Sequence, residues 1–292
     1  MIRGLFAALF AMLPLASSLA AGASAHKDLP YATVGGKVLG LDLYVPSDVK
    51  QPPLVIYVHG GAWNAGNKTQ YPTFLVDNGF AVATLDFRST DIAPFPANVH
   101  DIKAAIRFLR SKARDYGYRA DRIAISGASS GGHLAALVGV TSGVTALEGD
   151  EGDFRGQSSS VQAIVSWFGA SNLTTILSQS TPFGLEVRVP ALSRLLGDQP
   201  EKAPDLARLA SPVFHVDAKD PPLLLLHGDQ DRQMPINQLH ELDGAYARAG
   251  LKAETFVLHG VGHDSGPFFA KGEATQRVVD FLRRTIGRDE DR

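Results

Sequence analysis

Cysteine is absent from all 292 residues. That excludes a disulfide framework, a thiol nucleophile and a thiolate metal site at once. An excess of one charge is missing as well: 28 basic side chains against 30 acidic ones leave a formal charge of −2. Such a balance gives no electrostatic reason to expect nucleic acid or an anionic membrane as partner. Beyond the N-terminus no segment approaches the roughly 20 apolar residues needed to cross a bilayer. Internal repeats and long low-complexity tracts are lacking too. What is present, 45% hydrophobic residues with 29 glycines and 17 prolines, suits one globular domain with a sizeable core.

The N-terminus is different in kind. Arg3 precedes an uncharged run from Gly4 to Leu15, followed by a stretch rich in Ala and Ser. Ala23-Ser24-Ala25 fits the small-x-small pattern of a signal-peptidase site, with Ser18-Leu19-Ala20 as a second one. Residues 1–25 are therefore expected to be a signal peptide and residues 26–292 an exported, periplasmic or secreted domain. An uncleaved membrane anchor is the alternative, because the segment from Gly4 to Ala25 carries no charge. Cleavage would leave a soluble protein without stable membrane insertion.

Along the rest of the chain, apolar runs alternate with helical periods. Thr33-Val34 and Leu39 to Val45 read as early strands around a Gly35-Gly36 turn. Leu54 to Val58, Phe80 to Leu85, Arg122 to Ser126, Gln162 to Trp167, Leu223 to Leu226 and Glu254 to Leu258 read as strands buried on both faces. Between them, Ile102, Ala105, Ile106 and Leu109 line one face of a helix. Ile236, Leu239, Leu242, Tyr246 and Ala249 do the same, as do Ala274, Val278, Phe281 and Leu282. The pattern predicts an α/β fold, a mostly parallel sheet flanked by helices. Residues 168–220 break the rhythm with five prolines. They are expected to form small helices near one edge of the sheet, as a lid, a pocket wall or an inert insertion.

Gly127-Ala128-Ser129-Ser130-Gly131 matches G-x-S-x-G, a weak signal alone. Here a strand runs into it and an apolar helix from Gly132 to Val140 leaves it, the arrangement a nucleophile elbow requires. The tight turn exposes the serine hydroxyl and sets it near a helix N-terminus, where free N–H groups stabilise negative charge. Ser130 is the rival nucleophile, but Ala128 would then replace the first glycine. Upstream, His59-Gly60-Gly61-Ala62-Trp63 follows a strand. The amides of Gly60 or Gly61, with that of Ser130, are candidate donors to an oxyanion; a glycine turn relieving crowding is the plainer explanation. Trp63 is a candidate for the substrate pocket, with Phe95, Phe183 and Phe268; each could equally pack in the core.

A serine hydroxyl needs a base, and the base an orienting carboxylate, in the chain order Ser, acid, His. Two carboxylates compete in His227-Gly228-Asp229-Gln230-Asp231. Asp231 lies further into the loop, where it can turn toward a histidine, whereas Asp229 suits the turn itself. His263 sits on a glycine-flanked loop after the last predicted strand and is the candidate base. His259, at the strand end, reads as packed and structural, as do His133 and His227. A metal site from His227, Asp229 and Asp231 matches no standard ligand spacing, so neither metal nor cofactor is expected.

Taken in order, HGGAW, GASSGGHLA, HGDQDRQMP and GVGH resemble the α/β-hydrolase esterases related to hormone-sensitive lipase. The chain is most similar to the branch of bacterial feruloyl and acetyl-xylan esterases, which in turn resembles kynurenine formamidases. Leu41-Asp42-Leu43-Tyr44-Val45-Pro46, Pro94-Phe95-Pro96-Ala97, Asp101 and Ala210-Ser211-Pro212-Val213 extend the resemblance over nearly the whole domain. It implies an α/β-hydrolase fold with Ser129 as nucleophile, Asp231 as acid and His263 as base. Three departures stand out. Ala62 replaces a third glycine, Ala128 and Ser130 flank the nucleophile where an acidic residue and an alanine are common, and Phe87-Arg88-Ser89-Thr90 replaces a tyrosine-arginine-leucine run. The expected activity is hydrolysis of small-molecule carboxylic esters, short acyl or plant-wall-type such as acetyl or feruloyl. The same triad serves an amidase, formamidase or peptidase, and a non-catalytic binding protein on the hydrolase fold is the reading from a different class. Oligomeric state is left open.

Overall fold

The computed structural model describes residues 22–287. Most of the predicted leader, including Gly4 to Leu15, lies outside the described residues. In chain order the elements are β1 (Ala23–Val34), β2 (Lys37–Pro46), β3 (Leu54–Val58), α1 (Phe74–Asp77), β4 (Ala81–Leu85), α2 (Ala97–Tyr116) and β5 (Ile123–Ala128). There follow α3 (Ser130–Gly139), α4 (Thr145–Glu148), β6 (Ala163–Trp167), α5 (Ile176–Gln179), α6 (Pro182–Leu196), α7 (Pro204–Leu209) and a 3-10 turn at Pro212–Phe214. The chain closes with β7 (Leu223–Gly228), α8 (Asn237–Arg248), β8 (Glu254–Leu258), α9 (Ser265–Phe269) and α10 (Glu273–Ile286).

The strands form one sheet in the order β1-β2-β4-β3-β5-β6-β7-β8. Pairings β1–β2 and β2–β4 are antiparallel, and all those from β4 to β8 are parallel. β1 is longer than Thr33-Val34 suggested, because irregularities at His26/Leu29 and Pro30/Ala32 let it follow β2 as far as Ala23 opposite Pro46. Ala23-Ser24-Ala25, the predicted cleavage motif, is the start of that strand.

Alternation along β3 explains the layers. Leu54, Ile56 and Val58 join the core on one face with Ile102, Ile106 and Leu109 of α2 and Leu239, Leu242 and Tyr246 of α8. Val55 and Tyr57 join the core on the other face with Leu75 of α1 and Val278, Phe281 and Leu282 of α10. α3 is different: all ten of its residues are buried, so it has no solvated stripe, and Ser130 and His133 are its only polar side chains. From β3 the chain moves outward to β4, then returns past β3 to β5 and proceeds in the opposite direction. Such a reversal opens a crevice at the carboxyl ends of the two strands that straddle it. Here those strands are β3 and β5, paired in register from Leu54↔Ile123 to Val58↔Gly127.

Candidate active site

Ser129 occupies the turn between β5 and α3, with φ 57° and ψ −122°. A left-handed φ is costly for a residue with a side chain and persists only where the surroundings over-determine it. Two constraints do so. The Ser129 amide donates to the carbonyl of Trp167 at the end of β6, at 2.9 Å, and the Ser129 carbonyl accepts from the His133 amide at 3.0 Å. The turn also has to pass close to β3: a side chain at Gly131 would run into the carbonyl oxygens of Val58 and His59. α3 therefore begins at Ser130, two residues earlier than the apolar pattern predicted.

The loops after β7 and β8 bring two further side chains to Ser129. Its Oγ lies 2.8 Å from Nε2 of His263, whose Nδ1 lies 2.7 Å from Oδ2 of Asp231. The Asp231 side chain is fully buried and that of His263 is 12% exposed. Burial alone would raise the Asp231 pKa. Hydrogen bonds from His227 and His263 and from the Met234 amide outweigh it and hold the carboxyl well below the usual carboxylate range. Oδ1 accepts the Gln233 and Met234 amides at 2.9 and 2.8 Å. His227 is thus more than a packed strand end: its Nε2 donates to the Met234 carbonyl at 2.9 Å and stands 3.4 Å from Asp231 Oδ2.

Asp229 turns elsewhere, accepting the Gly260 amide at 2.7 Å and meeting His259 Nδ1 at 2.8 Å. His259 is corrected from a packed residue to an exposed one, its side chain 87% accessible. It stands just past β8, an edge strand with no neighbour on its outer side. Among the described residues no group of three or more His, Asp or Glu side chains is arranged to hold a metal ion.

Gly60 abuts the serine: a methyl there would come within 3.3 Å of Ser129 Cβ. His59 Nδ1 donates to the Gly60 carbonyl at 2.8 Å, and the ring is held by stacking on Phe87 at 4.4 Å. Because C=O and N–H point oppositely across a trans peptide, this bond turns the Gly61 amide away from His59. Gly61 itself has φ 121°, within the range that favours glycine. The amides of Gly60, Gly61 and Ser130 donate to no acceptor among the described residues. They are the donors an oxyanion would need.

Trp63, for which pocket and core were both open, is buried. It is 1% exposed, and its indole N–H donates to His133 Nδ1 at 3.0 Å. His133 Nε2 in turn donates to the Ala210 carbonyl at 2.7 Å, and burial pushes the imidazole down to about 4, so it is neutral. Phe95 and Phe268 are buried too, while Phe183 is 38% exposed. The aromatic that sequence reasoning missed is Phe168. Its ring packs edge-on against His263 at 4.9 Å, and it follows β6 with φ 42°. Its position straight after a strand that neighbours the elbow strand was the available signal.

A family model described as BD-FAE matches residues 41–246. The chain belongs to the BD-FAE family. Esterase LipQ of Mycobacterium tuberculosis is 28% identical over 91% of the chain and 64% of its own length. The probable carboxylic ester hydrolase LipM of the same organism is 31% identical over 72% of the chain and 49% of its own length. The chain thus spans about half to two thirds of these relatives. Among solved structures, a truncated carbohydrate esterase from gut microbiota superposes with TM-score 0.80 at 32% identity, covering 89% of this chain and 95% of that one. Thermogutta terrifontis esterase 2, phosphonylated by sarin, gives 0.73 at 25% identity, covering 89% and 93%. The fold is that of the α/β-hydrolases. In this BD-FAE chain the match contains Ser129 and Asp231 but ends before His263; only the folded chain returns the histidine to the other two.

Proposed function

We propose that this chain is an exported serine carboxylesterase that cleaves short-acyl or plant-wall-type esters, such as acetyl or feruloyl, through an acyl-enzyme. The observation that carries the reading is the continuous contact Ser129–His263–Asp231, at 2.8 and 2.7 Å, beside amides left without acceptors. Esterases among its relatives and a carbohydrate esterase among its structural neighbours support the substrate class. Export rests on the leader-like residues 1–25.

The chemistry follows from the geometry. Ser129 Oγ attacks the ester carbonyl while His263 Nε2 takes its proton. The developing oxyanion is received by the amides of Gly60 or Gly61 and Ser130, near the N-terminus of α3. His263 returns the proton to the leaving alcohol, and the acyl group stays on Ser129. Water then enters, loses its proton to His263 and attacks the acyl carbon; the acid leaves as Ser129 is reprotonated. Throughout, the ionised Asp231 holds the Nδ1–H tautomer and stabilises the imidazolium.

Hydrolysis of p-nitrophenyl acetate and butyrate by protein starting at His26, beside its Ser129→Ala variant, tests this. Turnover by the wild type and a loss of at least about 10³-fold in the variant are expected. Equal activity in both would overturn Ser129 as nucleophile and point to Ser130.

A further inference from the structure

Arg188, on α6, is 1% exposed. Its Nε and Nη1 have no hydrogen-bond partner among the described residues. The other two buried cations among the described residues both reach Glu148, although Arg107 Nε has no partner. Lys103 donates to the Thr141 carbonyl and to Glu148 at 2.6 and 2.7 Å, and Arg107 to the Glu148 and Glu151 carbonyls at 3.0 and 3.2 Å. Arg188 touches instead the face of Trp63, its Cζ 5.8 Å from the ring centroid. Burial pulls its pKa down to about 10, against the pull of Asp231, so the guanidinium is charged at neutral pH.

Its surroundings are the catalytic loops. Trp63 belongs to the oxyanion loop, His133 to the elbow helix, and Asp231 is the acid. None of these can satisfy it. Both Asp231 oxygens are already engaged by His263, His227 and two amides, and both His133 nitrogens are in use. α6 is moreover tied to the acid loop, since Thr181 Oγ1 donates to the Arg232 carbonyl at 2.8 Å. A buried cation without a hydrogen-bonded counter-charge is a liability to the fold, and its planar fork suits a carboxylate.

We infer that Arg188 is an anion subsite that receives a carboxylate at the far end of the acyl group, so that preferred substrates are half-esters of short dicarboxylic acids. The acyl side is indicated by the order of release: the alcohol departs while the acyl group is still held on Ser129, and Arg188, Trp63 and His133 are each at most 1% exposed. The inference rests on the esterase reading and narrows its acyl group.

The test compares p-nitrophenyl hemisuccinate and hemiglutarate with the butyrate and pentanoate esters, in wild type, Arg188→Met and Arg188→Lys. At one chain length or both, the wild type is expected to favour the charged ester at least tenfold, mainly through KM. Arg188→Met should abolish that preference and keep the uncharged esters within threefold, while Arg188→Lys retains part of it. No preference in the wild type, or a parallel loss on both esters in Arg188→Met, overturns the subsite. If Arg188→Met does not fold, the wild-type ratio and Arg188→Lys decide. Calorimetric binding of free glutarate against pentanoate to the wild type is independent of turnover. Turnover of uncharged esters without glutarate binding sinks the subsite alone; glutarate binding without any ester turnover sinks the esterase reading alone.

Discussion

A carboxylate that orients a histidine is useful only while it is ionised, and Asp231 is buried, where ionisation is normally penalised. The hydrogen bonds to both its oxygens reverse that penalty. Because its folded pKa is depressed, the stabilisation it provides is fully present above the unfolded carboxylate value of about 3.9 and is lost as pH falls through the folded value. In Asp231→Asn the amide presents its own donor toward His263 and favours the wrong tautomer. kcat is expected to fall about 10⁴-fold. The melting-temperature gap between wild type and this variant should be constant from neutral pH to about 5 and shrink below about 4. A gap that widens on acidification would show that the carboxylate is not stabilised by its partners.

Between elements, the decisive contact is the one between the elbow and β3. Gly131 faces the carbonyls of Val58 and His59, where a Cβ has no room. Gly131→Ala must push the oxyanion loop away from Ser129 or deform the elbow. Overpacking of this kind costs about 1–3 kcal/mol. Thermal unfolding should report that loss, and ester turnover should fall by more than the loss of folded protein explains. Unchanged stability and turnover would mean that β3 yields freely, contrary to the close pairing of Val58 with Gly127. The insertion from 168 to 220 belongs to this scale too. α6 contributes Leu192, Leu195 and Leu196 to the main core, and the Leu195 carbonyl accepts the Phe95 amide at 3.0 Å. α6 is thus packed on the core and tied to the acid loop through Thr181.

For the molecule as a whole, export has a direct check. N-terminal sequencing of protein recovered outside the cytoplasm should begin at His26, or at Ala21 if the upstream site is used. An intact Met1 would overturn cleavage. Either mature chain keeps most of β1, because its pairing with β2 runs on from His26 opposite Leu43 to Val34 opposite Lys37. His26 also packs against Tyr116 of α2, ring to ring at 4.7 Å, so the mature N-terminus would be tied to the domain.

What the amino-acid sequence determined by itself is what depends on neighbours along the chain. The parallel strands β3 to β7 are buried apolar-rich runs, whereas β8, read as buried on both faces, is a half-exposed edge; α2, α8 and α10 carry apolar residues at helical spacing, and the elbow is a strand, a glycine-flanked serine and a helix in succession. The order serine, acid, histidine placed Ser129, Asp231 and His263 at the ends of β5, β7 and β8, and these ends share one edge of the parallel run β5-β6-β7-β8. Tertiary structure decided what depends on residues distant in sequence. Trp63 settled in the core and His259 moved from core to surface, since an aromatic or a histidine at a strand end fits either until its neighbours are known. Phe168 reaches His263 only because β6 lies beside β5. Arg188 could not be distinguished from any surface arginine, for α6 shows no charge pattern that marks it. Its burial without a hydrogen-bonded counter-ion exists only once α6 is laid against Trp63.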